Sequence, residues 1–121
     1  MPATGHIIVV DDDADIRETL VEMLEDHGCS AIGAENGQVA LDALERMPPD
    51  DPCLILLDVM MPVMDGRAFR EEQLKRQDLA KIPVVVISAF DEIEEMKADG
   101  YLKKPVEFDD VLRAARQFCS C

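Results

Sequence analysis

Short, β-branched apolar runs alternate with longer amphipathic stretches along all 121 residues, which predicts an α/β fold on a parallel sheet. Two features support that class. The runs Ile7-Ile8-Val9-Val10, Cys53-Leu54-Ile55-Leu56-Leu57 and Val84-Val85-Val86-Ile87 are apolar on both faces, as strands covered by helices on each side must be. Between the runs stand segments of helical period, such as Ile16, Leu20, Met23, Leu24 and His27, with Gly28 as a stop. The length fits one domain with a single proper core.

The elements follow in order. After the first strand and helix, a short strand is expected around Ser30 to Ala34, leading to Asn36-Gly37 as a turn or N-cap. Val39, Ala40, Ala43, Leu44 and Met47 mark a second helix closed by Pro48-Pro49. The third strand runs into Asp58; a loop of three methionines follows, best read as packing against the sheet rather than as a soft-metal site. Asp65-Gly66 introduces a third helix with Phe69 and Leu74 facing inward. Pro83 opens the fourth strand and Ser88 closes it. A short helical segment over 91–98 carries Ile93 and Met96. Gly100-Tyr101-Leu102 is a brief fifth strand before Lys103-Lys104-Pro105, and the last helix spans about 107–118.

Acids outnumber bases 26 to 12, a net charge of −14, which argues against nucleic acid or anionic membranes as direct partners. No apolar stretch approaches the roughly 20 residues of a transmembrane helix, and the start of the chain lacks the pattern of a signal peptide; a cytoplasmic location is the expectation. Cys29, Cys53, Cys119 and Cys121 match neither a zinc pattern nor a Cys-x-x-Cys motif. Cys53 reads as a small buried hydrophobe; Cys119-Ser120-Cys121 has the chemistry to bind metal or oxidise, but in a reducing compartment a frayed tail with free thiols is the expectation. His6 and His27 stand apart from each other and from the cysteines, so a histidine metal site has little support.

The polar residues at the strand ends carry the chemistry. In open parallel sheets ligands bind beyond the carboxyl ends of the strands, and those ends are Asp11-Asp12, Asp58, Ser88 and Lys104. If the first and third strands are parallel neighbours, their acids share one pocket and repel unless a cation joins them. Asp58 has the chemistry of a carboxylate nucleophile toward phosphorus. Asp11, Asp12 and a carbonyl in the loop after Asp58 offer the hard oxygens that Mg²⁺ prefers, while Lys104 and Ser88 are donors for phosphoryl oxygens. Asp13 is read as a helix N-cap or an accessory acid, with no role in the pocket.

These segments resemble one family throughout. Ile8-Val9-Val10-Asp11-Asp12, Leu57-Asp58-Val59-Met60-Met61-Pro62-Val63-Met64-Asp65-Gly66, Val86-Ile87-Ser88-Ala89 and Tyr101-Leu102-Lys103-Lys104-Pro105 are similar, in this order, to the motifs of response regulator receiver domains of two-component signalling. The resemblance implies a flavodoxin-like open five-stranded sheet of order 2-1-3-4-5, helices on both faces, in a single receiver domain over 1–121. With the chain ending just after the last helix, no effector domain is expected. It also implies that Asp58 accepts a phosphoryl group from a histidine kinase or histidine phosphotransfer protein, with Mg²⁺ held by Asp11, Asp12, Asp58 and the Met60 carbonyl. Lys104 would contact the phosphoryl group, the Lys104-Pro105 bond would be cis, and Ser88 with Tyr101 would switch contacts to a downstream protein. Met60 and Phe90 would flank the path of attacking water and slow self-dephosphorylation. The protein would be no enzyme beyond its own phosphorylation and dephosphorylation.

One departure stands out. Twelve residues separate Ser88 from Tyr101, roughly one and a half helical turns fewer than relatives carry, so the family's fourth helix is expected to be shortened. The rival reading is a degenerate receiver that binds a partner constitutively, but its acids, Ser88, Tyr101 and Lys104 are all in place. A phosphatase with an aspartyl-phosphate intermediate commonly carries a second acid two residues after the nucleophile, where this chain has Met60. A nucleotide site fails for want of a glycine-rich phosphate loop.

Overall fold

The computed structural model describes residues 5–89, 97–119 and 121. Ten elements follow one another: β1 (His6–Val10), α1 (Ala14–Asp26), β2 (Ser30–Ala34), α2 (Gly37–Arg46), β3 (Pro52–Asp58), α3 (Gly66–Leu74), α4 (Gln77–Ala80), β4 (Val84–Ser88), β5 (Gly100–Lys103) and α5 (Phe108–Phe118). The sheet has the order β2-β1-β3-β4-β5, all pairs parallel, as expected. Val10 pairs with Leu57, and Asp58 with Ile87. The carboxyl ends of β1, β3 and β4 are therefore level.

Strand side chains alternate between two apolar layers because successive Cβ atoms point to opposite faces. Ile8, Val10, Ile55, Leu57, Val84 and Val86 pack with Ala40, Leu41 and Leu44 of α2 and Phe69 of α3. On the other face Ile7, Val9, Leu54, Leu56, Val85 and Ile87 pack with Leu24 of α1 and with Val111 and Ala115 of α5. Helix starts follow their cap chemistry. Asp13 accepts from the amides of Asp15 and Ile16, Asn36 from Val39, and Asp65 from Ala68. Gly28, at φ +86, turns the chain out of α1.

Two expectations are revised, and a third falls largely outside the described residues. Leu74 does not face inward; it is 52% exposed, and Gly66, Phe69, Arg70 and Gln73 form the buried stripe of α3. At 100° per residue Leu74 falls at the edge of that stripe. Gln73 belongs inside because its amide donates to the carbonyls of Leu79 and Ile82 at 2.9 and 3.1 Å, while its oxygen accepts from Arg70 at 2.8 Å. These bonds hold the α4 turn, which the sequence pattern had not indicated, against the start of β4. Gln73→Leu leaves two carbonyls without that donor and is expected to cost about 2–4 kcal/mol in chemical denaturation; a loss under about 0.5 kcal/mol would contradict this reading.

The cysteines are the second revision. Cys29 is bonded to Cys121 and Cys53 to Cys119, with Cα separations of 5.0 and 5.5 Å, and no thiol is free. Topology is the reason: β2 and β3 begin at the edge of the sheet where α5, running back against the strands, ends. Cys53 is accordingly a bonded, half-buried residue rather than an unreacted hydrophobe. Third, the segment expected to be helical over 91–98 lies outside the described residues, except for Lys97 and Ala98, which are not helical.

Candidate functional site

The site is assembled at the carboxyl edge, from the last residues of β3 (Asp58) and β4 (Ser88) and from residues just after β1 (Asp11, Asp12) and β5 (Lys104). Asp11 and Asp58 are each only 5% exposed. Asp12 beside them is exposed, and carboxylate oxygens of all three lie within 4.8 Å of one another. Lys104 reaches in from the loop after β5, its Nζ 3.3 Å from Asp58 Oδ1. The Lys104 amide donates to the carbonyl of Ser88 at 2.9 Å, which ties that loop to the end of β4. Ser88 is buried. The Lys104-Pro105 bond is cis.

Electrostatics leave the cluster short of positive charge. The Asp11 carboxyl is pushed above the usual carboxylate range, first by burial and then by the neighbouring charges of Asp58 and Asp12. The Asp13 amide, donating to Asp11 Oδ1 at 2.9 Å, and the Lys104 ammonium work in the opposite direction. Three clustered hard oxygen donors with one ammonium among them suit a small divalent cation such as Mg²⁺.

The backbone around the acids is held by contacts that sequence reading missed. Arg17 of α1 donates from Nη1 to the Asp11 carbonyl at 2.9 Å, and its stem lies where a side chain on Gly33 would be, 2.9 Å from a Cβ built there. Gly66 opens α3 as expected, and closeness fixes its identity: a Cβ would stand 2.6 Å from the Asp58 carbonyl oxygen. Its amide donates to Val59 at 2.8 Å. No local pattern signals either contact, because both join residues from different elements.

The loop between β3 and α3 carries a strained residue, Val63, at φ +67. β-branched residues avoid this region. Val63→Gly is expected to stabilise the protein by about 0.5–1 kcal/mol, the left-handed penalty less the glycine entropy. Thermal unfolding checks this, and a lowered midpoint would count against it.

Of the residues singled out from sequence, Asp11, Asp12, Asp58, Ser88 and Lys104 come together. Tyr101 lies one strand away on β5, partly exposed, its hydroxyl accepting from the Ala98 amide at 3.0 Å. The Met60 side chain is 64% exposed, and Phe90 lies outside the described residues. Beside the acids a cleft of about 560 Å³ is lined by Asp11, Ile16, Leu20, Ile87, Lys104, Pro105 and Val106. It is mostly apolar.

A parallel α/β sheet whose carboxyl edge gathers three acids, a serine and a lysine defines an open-sheet α/β protein with a charged site beyond its strand ends. More specifically, this chain belongs to the response regulator receiver domain family, whose family model matches residues 7–116. The response regulator MprA of Mycolicibacterium vanbaalenii is 37% identical over 118 residues, which cover 92% of this chain and 48% of that protein; the chain spans about half the length of this relative. The signal receiver domain of a signal transduction histidine kinase from Syntrophus aciditrophicus superposes with a TM-score of 0.85 at 28% identity, covering 97% of this chain and 91% of that one. The response regulator TrrA of Thermotoga maritima, solved in complex with Mg²⁺ and BeF, has a TM-score of 0.81 at 28% identity, with 95% and 99% covered.

Two-component signalling is therefore the setting of this chain. Receiver domains are signalling modules rather than enzymes in the ordinary sense; they bind Mg²⁺ at an acidic pocket and interact with histidine kinases and downstream effectors. Among the described residues no helix is long and apolar enough to cross a membrane.

Proposed function

We propose that Asp58 is the phosphoacceptor. The observation that carries this reading is a buried strand-end carboxylate within 4.8 Å of two other acids and 3.3 Å from the Lys104 ammonium. An Asp58 oxygen attacks the phosphorus of a histidine-bound phosphoryl group; the P–N bond breaks, its electron pair stays on the imidazole nitrogen, and an acyl phosphate forms. Asp11, Asp12, Asp58 and the Met60 carbonyl would hold Mg²⁺, which offsets charge on the phosphoryl oxygens when bound. Lys104, already at Asp58, transfers its contact to a phosphoryl oxygen. The buried Ser88 hydroxyl donates to another. The apolar cleft beside the acids provides a surface for the protein donor.

Output rests on the same residues. Drawing Ser88 toward the phosphoryl group opens room beneath β5, and Tyr101 turns inward, giving up its bond to the Ala98 amide. A downstream protein reads that change, and the chain itself contacts neither nucleic acid nor membrane. Met60, two residues beyond Asp58, shields the acyl phosphate from water and lengthens its life. Met60→Asn should speed loss of the phosphoryl group by about tenfold; an unchanged rate in Met60→Asn would remove Met60 from this role.

The principal test is direct. Protein incubated with acetyl phosphate and Mg²⁺ gains the mass of one phosphoryl group, and chelation of the cation prevents it. No adduct under these conditions would overturn the proposal.

A further inference from the structure

The sulfur pairs lie at the edge of the sheet opposite the acids, and no step proposed at Asp58 uses them. Each pair joins one buried residue to one half-buried residue. Cys29 and Cys119 are 1% and 8% exposed, whereas Cys121 and Cys53, their respective partners, are both half-buried. A metal reading of the four cysteines does not fit. Cys29 immediately precedes β2 and Cys53 lies in β3, and β1 runs between those strands, so the two pairs stand apart rather than converging as a tetrahedral site requires.

We propose that the two pairs are a reversible thiol–disulfide modification site, opened by dithiol reductants, that sets how firmly the far end of α5 is anchored. A thiolate of the reductant attacks the sulfur of the half-buried Cys121. A mixed disulfide forms, and Cys29 leaves as a thiolate and takes up a proton. The second thiolate of the reductant then attacks its own sulfur in the mixed disulfide and releases Cys121. The reductant ends as a disulfide, and two electrons and two protons have passed to the protein. The same sequence at Cys53 frees Cys119, and disulfide oxidants run both exchanges backwards.

The consequence is felt first at the far end of α5. α5 keeps its apolar contacts to the sheet through Val111 and Ala115, and its other end stays tied by the Lys104 amide to Ser88. What the thiol state releases is Cys119 and Cys121 from the amino ends of β3 and β2. This helix thus receives two inputs: phosphorylation acts near Lys104 at its start, and thiol chemistry acts at its end.

Amide hydrogen exchange on the native protein, read after equilibration with dithiothreitol or with its oxidised form, tests the proposal. Mass analysis after alkylation counts the thiols in the same samples. The expected result is no alkylated cysteine in the oxidised sample, four in the reduced sample, and full return on re-oxidation. Protection in the last turns of α5 should fall by about tenfold or more on reduction, and these amides should exchange ahead of those of β1 and β3 in the reduced protein but not in the oxidised one. In Cys121→Ser, which keeps the Cys53–Cys119 bond, an intermediate loss is expected at the same amides. Alkylation of all four cysteines in oxidant-treated native protein would overturn the proposal. So would resistance to native reduction, or α5 protection that is the same in both states.

Discussion

Asp58→Asn is expected to abolish the phosphoryl adduct altogether. Asparagine nearly matches the shape of aspartate, so the strand end, the Lys104 loop and the buried neighbours keep their places. What disappears is the carboxylate nucleophile, and an amide oxygen is far too weak a nucleophile to substitute. The cluster also loses one of its three negative charges, so affinity for Mg²⁺ should fall by about tenfold or more. The loss of label and the weaker cation binding have separate readouts: intact mass in the presence of acetyl phosphate for one, calorimetric titration with Mg²⁺ for the other. An adduct on Asp58→Asn equal to that on the unchanged protein would mean that another residue accepts the group.

Removing both sulfur links should produce the largest change in stability. Cys119→Ser combined with Cys121→Ser opens loops that the bonds close over separations of 66 and 92 residues. By chain-entropy reasoning the first link alone restrains the unfolded chain by about 4 kcal/mol, and the second adds less because the loops overlap. We expect the double variant to lose about 4–6 kcal/mol relative to the oxidised protein, a large share of the 5–15 kcal/mol typical of a domain. Urea denaturation checks this. A double variant whose midpoint equals that of the oxidised protein would show that the bonds contribute nothing to stability. The layer that holds the cysteines keeps its aliphatic members Ile7, Val9, Leu54, Leu56, Val85, Ile87, Leu24, Val111 and Ala115, so the variant should still fold.

Much of this architecture could be read from local pattern. Ile7 to Val10, Leu54 to Leu57 and Val84 to Ile87 are too uniformly apolar for anything but covered strands. The caps Asp13, Asn36 and Asp65 stand where the helices begin. The acids after the first and third runs, with Ser88 and Lys104, were legible as a site because a parallel sheet brings strand ends to one edge. Gln73 and Leu74 reversed places relative to expectation because hydrophobicity does not record which carbonyls need a donor. The four cysteines were misread for a similar reason. Their partners lie 92 and 66 residues away, and the local spacing around each carries no trace of the pairing.

What the sequence by itself determined is the class of fold, the strand positions and the set of residues at the carboxyl edge. Each follows from side-chain periodicity and from the chemical type of the residue that closes a run. The tertiary structure alone decided that Gln73 is buried, that Arg17 holds the Asp11 carbonyl over Gly33, that Gly66 leaves no room for a side chain beside Asp58, and that α5 is tied to β2 and β3. These are contacts between elements distant in the chain. Their energy depends on separations of a few ångströms that exist only once the crossovers have packed.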